Sequence, residues 1–433
     1  MHYFSTNDPS HLVSLRQAVL QGLPADNGLY MPETLPPLPQ SFLASLHGRP
    51  LQEIAEVVLE PFLKAEVPQQ TLRALIADAL DFDAPLVTLD EGLHILELFH
   101  GPTLAFKDFG ARFMARLMAW FVSDLGHPLN ILVATSGDTG SAVANGFHGV
   151  AGINVIILYP AGKISPMQEQ QIATLSGNIT ALAIDGTFDD CQRLVKDAFL
   201  DDALNRALLL SSANSINIAR LLPQMLYYFR AAAQLPEGAP EPVIIVPSGN
   251  FGNLTAGLFA RRMGLPVQQF VAATNCNDVV PLYLRDGRFE PRPSLQTISN
   301  AMDVGNPSNF QRMQFLYEGS LPAMRQEISG FAFDDEETRE GIRELAECYQ
   351  YIVDPHGAVA YRAAKKIAGS RPRIFLGTAH PAKFREIIEP VIGRAIALPQ
   401  RLRQLAGKRK YAIPLSADFP TLREFLLSKP ELR

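Results

Sequence analysis

From about residue 94 the chain alternates short apolar runs with amphipathic stretches at helical spacing. The runs that read as strands are Ile95–Phe99, Ile131–Ala134, Val155–Tyr159, Ala181–Ile184, Ala207–Leu210, Val243–Val246, Gln269–Ala273 and Ile374–Leu376. Continuous rather than alternating apolarity is what strands buried on both faces require, and helices between strands make parallel pairing the simplest topology. The expected fold class is therefore α/β, with two open, largely parallel-sheet α/β domains. The first residues read differently. A turn-rich stretch, Gly22 to Pro39, precedes helical patterns at Leu51 to Leu63 and Gln70 to Leu80. The expected organisation is an N-terminal, mainly helical appendage packed on the core (1–85), a smaller α/β domain (86–200), a larger one (201–395) and a C-terminal tail (396–433).

Composition narrows the function classes. At 433 residues, two or three domains are the prior. A hydrophobic content of 47% with 19% charged residues suits a folded globular protein. A net charge of -6 argues against general nucleic-acid binding. The one basic run, Arg401 to Lys410, reads as a solvated helix end. The first residues lack a basic start followed by an apolar run, and no apolar stretch is long enough to span a bilayer. Cys191, Cys276 and Cys348 are widely spaced and form no CxxC, and no histidine pair has HExxH spacing. No metal site is expected, and a reducing cytoplasm fits.

Three segments carry candidate chemistry. The first is a pair of strand–turn–helix units, Leu132 to Val143 and Ile244 to Thr255. Each has a Ser-Gly-x-x-Gly turn. Such turns converge backbone N–H groups on an anion, and the helix dipole adds to the attraction. Ser136 and Thr139, or Ser248, Asn250 and Asn253, can add side-chain donors. One turn alone could equally serve only a tight bend; two favour paired anion sites. Neither is GxGxxG and no GxxxxGK[ST] occurs, so a dinucleotide or P-loop reading is weak.

The second segment runs from His100 through Lys107 to Phe113. Lys107 falls at the start of a helix whose apolar face takes in Phe109, Phe113, Leu117, Trp120 and Phe121. The positive helix end and the apolar neighbours both disfavour its ammonium form, which is what a Schiff-base lysine needs. A snorkelling lysine paired with Asp108 explains the same spacing. The third segment, Leu376 to Phe384, places the hydroxyl of Thr378 at the carboxyl edge of a strand, where it could also serve as a helix cap.

Together these segments resemble the longer, bacterial and fungal branch of the threonine synthase family, in the fold-type II, tryptophan-synthase-beta-like group of pyridoxal-phosphate enzymes. The resemblance covers essentially the whole chain. It rests on GLYMPE, FHGPTLAFKDFGARF, ATSGDTGSA, YPAGKISPMQEQQ, SSANSINIARL, PSGNFGN and GTAHPAKF, in that order. It implies a lyase converting O-phospho-L-homoserine and water to L-threonine and phosphate, the last step of threonine biosynthesis, with pyridoxal 5'-phosphate as cofactor. Lys107 is implied as the lysine that holds the cofactor. The turn of Ser248, Gly249, Asn250, Phe251, Gly252 and Asn253 is implied as the cradle of its phosphate, and Thr378 as the partner of its pyridine nitrogen. Ser136, Gly137 and Thr139 would face the substrate carboxylate, and Lys163 with Ser165 would hold the substrate phosphate. Asp138 stands where related lyases carry Asn beside the cofactor's ring hydroxyl; an ionised Asp only accepts hydrogen bonds there. Asn214 and Asn217 belong to a family motif without an assigned role. The implied partner is a small-molecule substrate, with no nucleic acid or membrane, and the implied state is a monomer or homodimer. The alternatives left by the residues are a dehydratase or β-replacing lyase of the same group, a nucleotide-binding protein, and an inactive homologue.

Overall fold

Eleven strands build two sheets in the computed structural model, which describes residues 1–405 and 407–432. In chain order they are β1 Leu86–Asp90, β2 Leu93–Glu97, β3 Leu129–Ala134, β4 Ile153–Pro160, β5 Ile179–Asp185, β6 Leu209–Ser212, β7 Val243–Pro247, β8 Gln269–Thr274, β9 Ile328–Ala332, β10 Arg373–Gly377 and β11 Ile413–Ser416. One sheet has the order β9-β8-β7-β10-β2-β1, and the other β11-β5-β4-β3-β6. Every pairing in them is parallel except β1 with β2. All eight strands read from the sequence are present, Ala207–Leu210 shifted to Leu209–Ser212 because Ala207 closes helix Asp202–Ala207. β3, β7, β8 and β10 are buried almost throughout, which is why their residues are continuously apolar.

The chain divides into two compact units. The first comprises Met1, 31–106 and 221–397; the second comprises 2–30, 107–220 and 398–433. This differs from the four consecutive blocks expected from sequence. β1 and β2, assigned to the smaller domain, join the six-stranded sheet of the first unit, while β6, assigned to the larger, pairs with β3 in the second. Parallel pairing is the physical reason. Parallel neighbours need crossovers, so a strand's sheet is set by where the chain returns and not by its position along it.

The N-terminal region is likewise divided. Helix Leu51–Leu63 packs on Met225–Gln234 in the first unit, and Leu15–Gln21 packs on the helix that begins at Lys107 in the second. Residues 396–433 are no tail. β11 pairs in parallel with β5, and Leu422 and Leu426 of helix Phe419–Leu427 lie fully buried beside Cys191 and Leu194. Each such leucine contributes about 1.5–3 kcal/mol of burial, which gives this segment a core role. The basic run starts in the short helix Gln400–Arg403; Ala406 within it, and Arg433, lie outside the described residues.

Candidate active site

In the second unit, helix α1 spans Lys107–Val122. Lys107 is its first residue and is half-buried. Phe109, Phe113, Leu117 and Phe121 are buried, whereas Trp120 is 41% exposed and does not belong to the apolar face. Asp108 is fully buried, and its charge faces the buried guanidinium of Arg220. Burial pushes that guanidinium down to about 10, with Asp108 opposing. Arg220 Nη1 donates to the Ala213 carbonyl at 2.6 Å. Gly110 is dictated by this packing, because a Cβ there would stand 2.8 Å from the Arg220 carbonyl oxygen.

The first glycine turn follows β3 and opens helix α2, Asp138–Phe147. Gly137 has φ 129°, and a Cβ on it would lie 2.3–2.5 Å from the side-chain amide of Gln168. Both facts demand glycine. Thr135, fully buried, ties the turn together by accepting from Gly137 N–H (2.9 Å) and Gly140 N–H (2.8 Å). Gln168 also organises the neighbouring loop. Its Nε2 donates to Asp138 Oδ1 at 3.0 Å, and its Oε1 accepts from Ser165 N–H at 3.0 Å. Asp138 is thus buried, with an amide donor on one oxygen, and Ser136 and Thr139 are half-buried beside it in the chain.

Lys163 and Ser165 follow β4, which adjoins β3. Lys163 is exposed. Ser165 caps helix Pro166–Ala173 in a capping box with Gln168. Asn214, after β6, donates from Nδ2 to the Ala134 carbonyl at the end of β3 (2.9 Å). Asn217 Nδ2 donates to Val19 O and Ser212 O, and its Oδ1 accepts from Ala219 N–H. Both asparagines therefore hold backbone. β3 lies between β4 and β6, so the Ser136–Thr139 turn, the Lys163 loop and Asn214 share the carboxyl edge where the strand order reverses. That edge is where open α/β sheets bind ligands.

In the first unit, the second glycine turn follows β7 and opens helix α3, Gly252–Arg262. Phe251 at the helix start is in the left-handed region at φ 60°. A Cβ on Gly249 would meet Met302 Cα at 2.7 Å and Ala301 O at 3.0 Å, so the turn is pressed against backbone. Its side chains are not the simple donors expected. Ser248 Oγ donates to Val246 O (2.9 Å), and Asn250 Oδ1 accepts from the N–H and hydroxyl of Ser308 (2.6 and 3.0 Å). Asn253 is different. Its Oδ1 accepts from the hydroxyls of Tyr227 and Tyr228, both at 2.6 Å. Burial holds both phenols well above their ordinary value, so they keep their protons and act as donors. Asn253 Nδ2 is buried with no hydrogen-bond partner among the described residues. A buried amide donor in the first turn of a helix, where backbone N–H groups also lack helical acceptors, fits an anionic group such as a cofactor phosphate.

Thr378 follows β10, the strand beside β7, and is buried. Register sets Ile245 opposite Phe375, which brings the ends of these strands to one level. Thr378 and the Ser248–Asn253 turn thus occupy neighbouring strand ends at the switch between β8 and β10. Thr378 is not a helix cap: His380 Nδ1 accepts from Ala382 N–H and caps Pro381–Phe384. Glu97 at the end of β2 braces the loop toward Lys107, pairing with His100 Nε2 (2.7 Å) and accepting from the Tyr351 hydroxyl (2.7 Å). Burial raises the Glu97 carboxyl, but these two partners outweigh it and hold it below its usual range.

Thr135, Gln168 and Tyr227–Tyr228 were absent from the sequence reading. Gln168 lies within YPAGKISPMQEQQ, but no spacing tells that a residue thirty-one positions on will roof Gly137.

Three family models match: the pyridoxal-phosphate dependent enzyme model over residues 82–373, the threonine synthase N terminus over 2–80, and the threonine synthase C-terminal model over 357–426. The chain is 46% identical to threonine synthase of Serratia marcescens, over 99% of this chain and 100% of that one. It superposes on crystal structures of threonine synthase from Escherichia coli (TM-score 0.93, 46% identity, 99% of this chain and 100% of that) and of pyridoxal-phosphate-bound threonine synthase from Brucella melitensis (TM-score 0.93, 36% identity, 100% of each chain). Among the described residues no helix is long and apolar enough to cross a membrane. A glycine turn with a buried, unsatisfied amide donor, a lysine heading a helix and a full-length match agree, and the chain belongs to the threonine synthase family of pyridoxal-phosphate dependent enzymes.

Proposed function

We propose that this chain converts O-phospho-L-homoserine and water to L-threonine and phosphate, with pyridoxal 5'-phosphate held through Lys107. The observation that carries the cofactor assignment is the buried, unpartnered Nδ2 of Asn253 in the Ser248–Asn253 turn. When bound, the cofactor supplies an electron sink for carbanion character at the substrate's Cα. Its phosphate would be held by the backbone N–H groups of Asn250 to Asn253 and by Asn253 Nδ2. Thr378 Oγ1 would serve as the partner of the pyridine nitrogen, and Asp138 as that of the ring hydroxyl. Ser136, Gly137 and Thr139 bind the substrate carboxylate. Lys163 provides positive charge for the substrate phosphate. Ser165 Oγ, although it accepts from Gln168 N–H, keeps its own proton to donate there. Holding both ends of the substrate selects which bond aligns for cleavage. Lys107 Nζ then carries protons: it removes one from Cα, and its flexible stem reaches Cβ and Cγ in turn.

The experiment is paired. Phosphate release from O-phospho-L-homoserine is compared with ammonia release from threonine and serine, and borohydride-reduced protein is digested with trypsin. Phosphate release and a pyridoxyl adduct on the Lys107 peptide are expected, and Lys107→Ala removes both. Ammonia release without phosphate release would assign a dehydratase instead.

A further inference from the structure

Lys383 is fully buried and has no task in the reaction above. A lysine is seldom kept in such a place unless its ammonium is paired or hydrogen-bonded. Its Nζ donates to the Thr103 carbonyl at 3.0 Å. Thr103 begins a segment fastened at several points to the residues around Thr378. Leu104 O accepts from His380 N–H (3.0 Å), Phe106 N–H donates to Thr378 O (2.8 Å), and Ala105 and Ala379 form an antiparallel bridge. Leu104 is held at φ 59°, a left-handed conformation that a leucine rarely adopts and that must be imposed by its surroundings. Lys107 is the next residue after Phe106. Burial, with Lys383 among the charges that add to it, holds the His380 imidazole below its ordinary value.

We propose that Lys383 is a positioning residue: its buried ammonium grips the Thr103 carbonyl, locks the left-handed Leu104 turn, and so fixes the 103–106 segment that leads into Lys107 against residues 378–380. This rests on the assignment of Lys107 as the lysine that holds the cofactor. The chemistry of the ammonium explains its choice here. It is a compact donor on a long apolar stem, so it reaches a main-chain oxygen from a fully buried position. A methionine would fill the same volume but hold nothing.

The test uses full-length apoprotein and follows capture of pyridoxal 5'-phosphate, in which the lysine amine condenses with the cofactor aldehyde and one water leaves. Borohydride quenching and peptide mass analysis read the rate at the Lys107 peptide. Lys383→Met should slow capture at least tenfold at a temperature well below its unfolding midpoint. Affinity for pyridoxine 5'-phosphate, which has no aldehyde, should stay within threefold. Leu104→Gly, which loosens the same turn without disturbing a buried charge, should also slow capture. The double variant should be no slower than the slower single one, because both act through one turn. Wild-type capture rates in Leu104→Gly, or in Lys383→Met when it folds, would overturn the proposal. A tenfold loss of pyridoxine 5'-phosphate affinity would overturn it too, by assigning Lys383 to the cofactor pocket as a whole. An adduct on a peptide other than that of Lys107 refutes the underlying assignment instead, and the peptide itself tells the two failures apart.

Discussion

Replacing Asn253 with alanine separates two jobs that one side chain performs. Its Oδ1 serves Tyr227 and Tyr228, and its Nδ2 is the buried donor without a partner. The tyrosines have fallback acceptors. Tyr228 also reaches Asn253's own backbone oxygen at 2.9 Å, and Tyr227 reaches Gln224 Oε1 at 3.2 Å. Truncation therefore strands neither hydroxyl, and at about 1 kcal/mol per net hydrogen bond the apoprotein should lose no more than ~2 kcal/mol. The cofactor complex should lose more. A hydrogen bond to a charged group is worth about 1.5–3 kcal/mol, which at 1.4 kcal/mol per decade weakens pyridoxal 5'-phosphate binding about 10- to 150-fold. Titration of apoprotein with the cofactor, followed by absorbance and protein fluorescence, gives the affinity; urea denaturation of the same apoprotein gives the stability. A variant binding the cofactor within twofold of wild type would refute the reading of Nδ2 as a phosphate donor.

Gly137→Ala should cost about 3 kcal/mol or more in denaturant unfolding, because φ 129° alone strains a side chain by about 1–3 kcal/mol and the new Cβ displaces Gln168 from Asp138 and Ser165. Asp303 gives a pH signature. Burial pushes its carboxyl from 3.8 up to about 6, against hydrogen bonds from Thr297 and Asn275. An acid with a raised folded value binds its proton more tightly when folded, so its contribution favours the fold below about pH 4 and is lost as pH rises through 6. The difference in unfolding free energy between wild type and Asp303→Asn should therefore change by about 2 kcal/mol, in favour of Asp303→Asn, from pH 4 to pH 7. A flat difference across that range would show that Asp303 titrates normally.

The catalytic candidates were legible because their chemistry is local. Glycines between a strand and a helix declare themselves through backbone requirements that operate over a few residues, and a lysine at a helix start stands out as a candidate although its spacing alone also fits a solvated side chain. The strands found were those whose burial forces continuous apolarity. Those missed in these two sheets, β1, β9 and β11, are all at sheet edges, where one flank is open and mixed burial leaves no unbroken run. Trp120 was misread for the related reason that helical spacing gives the direction of a side chain but not what lies opposite.

The sequence by itself determined the α/β class and the glycine turns between strand and helix, since periodicity and φ preference are properties of neighbouring residues; the cofactor role of Lys107 was implied only by the family resemblance. Tertiary structure alone decided that β2 pairs with β10 and β6 with β3, that Gln168 roofs Gly137, that two tyrosines occupy Asn253 Oδ1, and that Lys383 grips Thr103. Those partners are separated by up to 280 residues. They meet because parallel strands must be reached by crossovers, and no spacing in the chain records which crossover returns where.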